Sequence, residues 1–224
     1  MFNDIASVYD LGNHLLSFGL DFLWRKRLAN ELRQFAPDSV LDLACGTADL
    51  AIAISQTNPQ SFITAIDLAQ NMLKVAAPKI ARLDNSGSFA LAQADIERMP
   101  FPDASFAAAS IAFGIRNVER REAGLAEIHR LLKPGGVFAV LEFSMPHAQI
   151  FAALYRIYLG VLLPLIGKLL SGDESYFYLR DTIREFPAPE EFTRELQSAG
   201  FSVRPPIALS FGAVWLYLAR VTDP

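Results

Sequence analysis

Residues 40–55, VLDLACGTADLAIAIS, pass from an apolar run through one glycine into a helix-like pattern. Similar runs recur along the chain: SVLDLA (39–44), SFITAID (61–67), SFALAQAD (88–95), SFAAASIAF (105–113) and GVFAVLEF (136–143). Each is short and close to continuously apolar, as expected of strands buried on both faces of a parallel sheet. Helical patterns fill the gaps. AGLAEIHRLL (123–132) carries Leu125, Ile128 and Leu132 on one face and stops at KPGG. PEEFTRELQSAG (189–200) opens on a proline, lines up Phe192, Leu196 and Ala199, and has Gly200 past its end. Two further strands are expected around 201–207 and 213–221. Strand–helix alternation predicts an α/β fold, a Rossmann-like, doubly wound and mostly parallel sheet of seven strands.

The 224 residues suit one domain. We divide it into a helical lid (1–36), a ligand-binding core (37–145), an aromatic-rich helical insert (146–187) and a final helix with strands (188–224). The chain is 52% hydrophobic with 17 Phe, and its net charge of -4 gives no nucleic-acid footprint. A lone cysteine, Cys45, excludes an internal disulfide and any multi-cysteine metal site. No His/Cys/Asp grouping has metal-ligand spacing, so no metal is expected. The N-terminus lacks a signal-peptide pattern, and a cytoplasmic setting is expected. The most apolar stretch, 150–170, is broken by Arg156, Pro164 and Lys168, so it is not read as a membrane span.

In an open parallel sheet, ligands bind beyond the carboxyl ends of the strands. DLACGTADL lies there. A dinucleotide loop needs G-x-G-x-x-G, but only Gly46 is present, followed by Thr47. Asp42 and Asp49 flank the same turn and would repel a phosphate. They suit a ligand with positive charge and hydroxyls, and S-adenosyl-L-methionine has an ammonium, a sulfonium, a ribose and no phosphate. Asp67 ends the second run, where an acid can accept from ribose hydroxyls. Asp95 ends the third, and Ile96 beside it can cover an adenine ring. The plainer reading of Asp42 and Asp67 is turn or helix capping.

These residues bring the chain close to a known family. It resembles the ubiquinone/menaquinone biosynthesis C-methyltransferases, of the class I S-adenosylmethionine-dependent fold. The matching stretches are FNDIASVYDLGNHLLSFGLDFLWRK, LDLACGTADL, MPFPDASF, AFGIRNV, EIHRLLKPGGVFAVLEFSMP and SYFYLRDTIREFP followed by AGF. LDLACGT and LKPGG occur in many methyltransferases; FGIRNV and SYFYLRDTI are more specific to quinone methylation. The resemblance implies C-methylation of a polyprenyl hydroquinone, demethylmenaquinol before the benzoquinol of ubiquinone synthesis. It implies a cytoplasmic enzyme peripherally associated with the inner membrane, and leaves room for a homodimer. Thr47, Asp67, Asp95 and Ile96 match its cofactor positions, and Tyr9 falls in its lid. Asp42, Gly46, Leu68 and Ala112 complete the expected cofactor set. Ala112 stands where relatives often have serine, and Phe211 and Tyr217 where glycine and histidine are expected.

Arg116, in FGIRNV, is the expected catalytic residue. A fixed cation would lower the pKa of a ring hydroxyl and stabilise the aryloxide that makes the adjacent carbon nucleophilic. The plainer reading is a helix-capping ion pair or a partner for Glu142. The expected substrate set is His14, Phe113, Asn117, Glu142, Tyr155, Tyr158 and Tyr176. The apolar, aromatic insert is read as both sheet packing and a groove for the prenyl tail near a membrane surface. Competing readings are a phospholipid N-methyltransferase, against which FGIRNV argues, an NAD-dependent oxidoreductase, against which the missing glycines argue, and a catalytically silent binding module.

Overall fold

The computed structural model describes residues 14, 17–145 and 175–222. The elements are α1 (Leu20–Arg33), β1 (Ser39–Leu43), α2 (Asp49–Thr57), β2 (Phe62–Asp67), α3 (Gln70–Ala81), β3 (Phe89–Gln93), β4 (Phe106–Ala112), α4 (Arg121–Leu131) and β5 (Leu132–Phe143). They are followed by α5 (Ser175–Glu185), α6 (Pro189–Ser198), β6 (Phe201–Val203), β7 (Ile207–Leu209) and β8 (Val214–Val221).

The strands form one sheet in the order β3-β2-β1-β4-β5-β8-β6, with β7 also on β8. The first five are mutually parallel and β8 runs antiparallel to β5. The strand order reverses between β1 and β4, which is where such sheets open a crevice for ligands. The sheet thus has eight segments at the seven positions expected. The run 201–207 is not one strand. Pro205 and Pro206 lack the N–H a ladder needs, so the edge strand is cut into β6 and β7, both paired to β8.

The apolar runs are buried because both faces are covered. On one face, Leu41, Leu43, Ile111, Phe138 and Val140 pack with α4 and with Phe192 and Leu196 of α6. On the other, Val40, Ile63, Ala65, Ala139 and Leu141 pack with Leu28 and Leu32 of α1 and with Leu50, Ala51 and Ile54 of α2. Helix α1 is held where the sequence placed the lid. Trp24 donates from its indole to the Ser210 hydroxyl at 3.0 Å, across 186 residues of sequence. Among the described residues, no helix is long and apolar enough to cross a membrane.

Candidate active site

Two adjoining cavities open at the carboxyl ends of β1, β2 and β4. The larger, about 250 Å³, is lined by Gly46, Asp67, Leu68, Asp95, Ile96, Ala112, Phe113 and Asn117 among others. The smaller, about 30 Å³, is lined by Arg25, Asp42, Thr47 and Asp49. Ala44, Gly46, Ala112 and Phe113 belong to both. The expected cofactor residues therefore converge, Tyr9 excepted, which lies outside the described residues.

Backbone geometry explains the shape. Ala44, Gly46 and Ala48 after β1, and Phe113 after β4, all have positive φ (46°, 55°, 71° and 59°). For the three non-glycine residues this costs on the order of 1–3 kcal/mol each, a strain that clusters at ligand sites. The loop after β1 is stapled to the neighbouring strand. The Gly46 amide donates to Asp67 Oδ2 at 2.8 Å and the Cys45 amide to the Ile66 carbonyl at 2.9 Å. Asp67 Oδ1 also accepts from the Ala69 amide at 2.7 Å. Burial pushes the Asp67 carboxyl up from its usual value, against the pull of these amides. Gly114 is fixed by space: a Cβ there would lie 2.8 Å from Ala44 Cβ.

Asp42 sits opposite Ser110 in the β1–β4 register, and its Oδ1 accepts the Ser110 hydroxyl at 2.6 Å. It is 1% exposed, and Oδ2 has no hydrogen-bond partner. Burial pushes its carboxyl up to about 7, against Ser110, Arg25 and the first-turn amide of Ala51. The unfolded carboxyl titrates near 4. Between about pH 4 and 7 the native state keeps a proton that the unfolded chain has lost. This group therefore makes stability fall as pH rises through that window. Asp42→Asn should flatten that part of the slope, by a few kcal/mol across the window. Denaturant midpoints from pH 4.5 to 8 test this, and a slope equal to the parent's would show Asp42 to be ionised throughout.

The expected catalytic and substrate residues divide. Phe113 and Asn117 line the larger cavity. Arg116 lies in the 3-10 turn Ile115–Asn117 and lines neither cavity. Its Nη1 donates to Glu142 Oε1 and to the Phe113 carbonyl, both at 2.6 Å. The plainer reading of Arg116, a partner for Glu142, is what the structure contains. His14 is tied elsewhere: Nδ1 lies 2.7 Å from Asp21 and Nε2 3.7 Å from Asp49. These three ligand-type residues cluster, but the two carboxylates already pair with Arg25 and Lys79. Tyr155 and Tyr158 lie outside the described residues, as does the Tyr176 side chain. Tyr217 is fully buried against Phe192 and Phe211 is 74% exposed, so neither shapes these cavities. Sequence reasoning missed Arg25, Ala44 and Gly114, which carry no signal apart from their place in the motifs.

A family model described as the ubiE/COQ5 methyltransferase family matches residues 1–220. The chain belongs to this family. Relatives agree along its length. A protein of Geobacter sulfurreducens named ubiquinone/menaquinone biosynthesis C-methyltransferase is 41% identical, over 97% of this chain and 85% of its own. A demethylmenaquinone methyltransferase of Thermus thermophilus is also 41% identical, over 97% and 98%. Among solved structures, an S-adenosylmethionine-dependent methyltransferase from Aquifex aeolicus superposes with a TM-score of 0.61 at 16% identity, covering 87% of this chain and 89% of that one. This member of the ubiE/COQ5 family is an S-adenosylmethionine-dependent methyltransferase of the class I fold. The residues present fit that cofactor. Asp67 keeps lone pairs for hydroxyls, Leu68 and Ile96 offer apolar walls, and the carboxyl groups of Asp42 and Asp49 line the adjoining recess, where they suit a cation.

Proposed function

We propose that this methyltransferase methylates a ring carbon of a polyprenylated hydroquinone, with demethylmenaquinol as the acceptor. Bound S-adenosylmethionine supplies an already activated methyl group. The ring must be made nucleophilic and held flat beside it. The observation that carries the reading is the Phe113 ring at the junction of the two cavities, backed by two further aromatic rings. Phe113, which lines both, stacks on Phe143 at 4.4 Å between centroids, and Trp24 meets both rings edge-on at 6.0 and 6.1 Å. The Arg116 guanidinium sits 5.6 Å from the Phe143 centroid. Ring hydroxyls titrate near 10, by analogy with tyrosine, and a guanidinium lowers that value but cannot itself take the proton. In this reading Glu142 and the Phe113 carbonyl hold Arg116, whose Nη2 has no hydrogen-bond partner among the described residues, for the ring oxygen. A water against the carboxylates of the cleft carries the proton away.

The same reading puts the enzyme against a membrane, where the substrate resides. Phe18, just before α1, and Phe22 and Leu23 in its first turn are 72%, 54% and 62% exposed; the exposed Lys26 follows, with Arg27, which pairs with Glu31. An apolar tip with a cationic flank suits an anionic lipid surface. The test is labelled methyl transfer to reduced demethylmenaquinol in anionic phospholipid vesicles, and to a short-tailed soluble quinol, with the benzoquinol in parallel. Label should appear in the naphthoquinol. The double variant Phe22→Ser, Leu23→Ser should lose rate several-fold on the vesicle substrate and keep it on the soluble one. No transfer to any hydroquinone overturns the reaction assignment, and equal losses on both substrates overturn the membrane contact.

A further inference from the structure

We propose that Phe211, on the turn Ser210–Gly212, binds the apolar tail of the acceptor where it leaves the cleft, and is a specificity-determining residue for tailed acceptors. This rests on the reading that the acceptor is a polyprenylated hydroquinone.

The turn is an outlier in backbone conformation. Ser210, Phe211 and Gly212 have φ of 46°, 58° and 86° in succession. Glycine is at ease there, but serine and above all a bulky phenylalanine are strained. The side chain presented by this strain, Phe211, is 74% exposed, the most exposed large apolar residue among those described. A single exposed phenylalanine needs no explanation. One kept in a strained conformation by its surroundings points to a contact that the ring makes. The turn is firmly held. Both tryptophans of the chain donate to it from their indoles, Trp24 to the Ser210 hydroxyl and Trp215 to the Gly212 carbonyl, each at 3.0 Å. The Ser144 amide donates to the adjoining Ala213 carbonyl at 3.1 Å.

The turn also lies at the ligand end of the sheet. Val214, which follows it, pairs with Phe143, the last residue of β5, and β5 runs parallel to β4. Trp24 couples the turn to the cleft, since its ring meets Phe113 edge-on and Phe113 lines both cavities. In the proposed reaction the cavities take the cofactor and the acceptor ring, so the tail must run out across the rim. Phe211 offers a ring without a polar atom, which suits an isoprenoid chain and gives nothing to a hydroxylated or charged headgroup.

The experiment compares the parent with Phe211→Gly and Phe211→Leu in the full chain. Glycine relieves the strain, so that variant should fold as well as the parent. Steady-state methylation is measured with a farnesyl-tailed hydroquinone in neutral detergent micelles and with the same ring lacking a tail. Phe211→Gly should raise KM for the tailed acceptor about 10-fold, the factor expected when a phenyl ring loses part of its apolar contact. It should leave kcat, and KM for the tailless acceptor, within about twofold. Phe211→Leu keeps an apolar side chain and should stay within about threefold of the parent on both. Farnesol alone, a tail without a ring, should shift the emission of Trp24 and Trp215 saturably, and should bind Phe211→Gly about 10-fold more weakly. Equal KM changes for the two acceptors, or none for the tailed one, overturn the proposal. So does a matching loss of Phe211→Gly sedimentation with acceptor-free phospholipid vesicles, which would make the ring a membrane anchor. The farnesol titration needs no methyl transfer. If the parent methylates no hydroquinone yet binds farnesol through Phe211, the reaction assignment falls and the tail site stands. If farnesol binds parent and Phe211→Gly alike, the tail site falls whatever the reaction.

Discussion

Glu142→Gln should cost about 3–5 kcal/mol of folding stability, because it leaves a buried arginine without its counter-charge. Glu142 is 0% exposed and the Arg116 side chain 6%. The carboxylate accepts from Arg116 Nη1 at 2.6 Å, from the Arg116 amide at 3.3 Å and from the Phe143 amide at 2.8 Å. Glutamine keeps the shape but turns an NH2 toward one of those donors. For a chain of this size the loss corresponds to a fall in Tm of roughly 6–20 °C. Arg116→Met should cost a similar amount by exposing the opposite charge to the same interior. Thermal and denaturant unfolding read both, and a loss under about 1 kcal/mol would mean that water reaches the pair.

The same two variants separate structure from chemistry. If Arg116 stabilises the ring oxygen, Arg116→Met should also lower single-turnover methylation by about 10²–10³, measured where the variant is folded. Glu142→Gln keeps the guanidinium and should lose far less rate. The Arg116→Met deficit should shrink toward pH 10, where more of the quinol is already an aryloxide. Parental rates in both folded variants would leave Arg116 as half of an ion pair that fixes the turn after β4.

Asp67→Ala should weaken S-adenosylmethionine binding about 10- to 100-fold. Both oxygens already accept backbone amides, Gly46 on Oδ2 and Ala69 on Oδ1. Each keeps a lone pair for the cleft, and a ribose diol offers two hydroxyls. The substitution thus removes ligand contacts and also frees the strained loop after β1 from the end of β2. Asp95→Ala should do less, since Asp95 is exposed and its neighbours are local: Oδ1 accepts the Glu97 amide, and the residue bridges to Arg98. Calorimetry on both folded variants checks this ordering. Unchanged affinity in Asp67→Ala would remove Asp67 from the cofactor site.

Much of this was legible in the sequence, because the signals are local. The apolar runs became β1 to β5 since a strand covered on both faces must be apolar throughout. Helix α6 runs Pro189–Ser198, with Phe192 and Leu196 fully buried, as its spacing required. The acidic strand ends reached the cleft because consecutive parallel strands all point their carboxyl ends the same way. Boundaries moved for local reasons too: the strand expected at 136–143 begins at Leu132, the residue expected to end the helix before it. The proline pair cut the edge strand, and the third ladder stopped at Gln93 before Asp95.

The amino-acid sequence by itself determined the class of fold, the turn that faces the ligand and the acids on its rim. Only the tertiary structure decided how individual charges are spent. Arg25 stands beside Lys26 and Arg27 in one helix; helical spacing puts it on the buried face with Leu28 and Leu32, but only the packed fold sets the Phe113 ring against its guanidinium. Arg116 and Glu142 are 26 residues apart, and Asp67 reaches back 21 residues to the Gly46 amide. An alternation of apolar and polar residues fixes which side of an element is buried. Which charge meets which across the sheet depends on strand order and register, set by the packing of the whole core, and that packing left Asp42 Oδ2 buried without a hydrogen-bond partner.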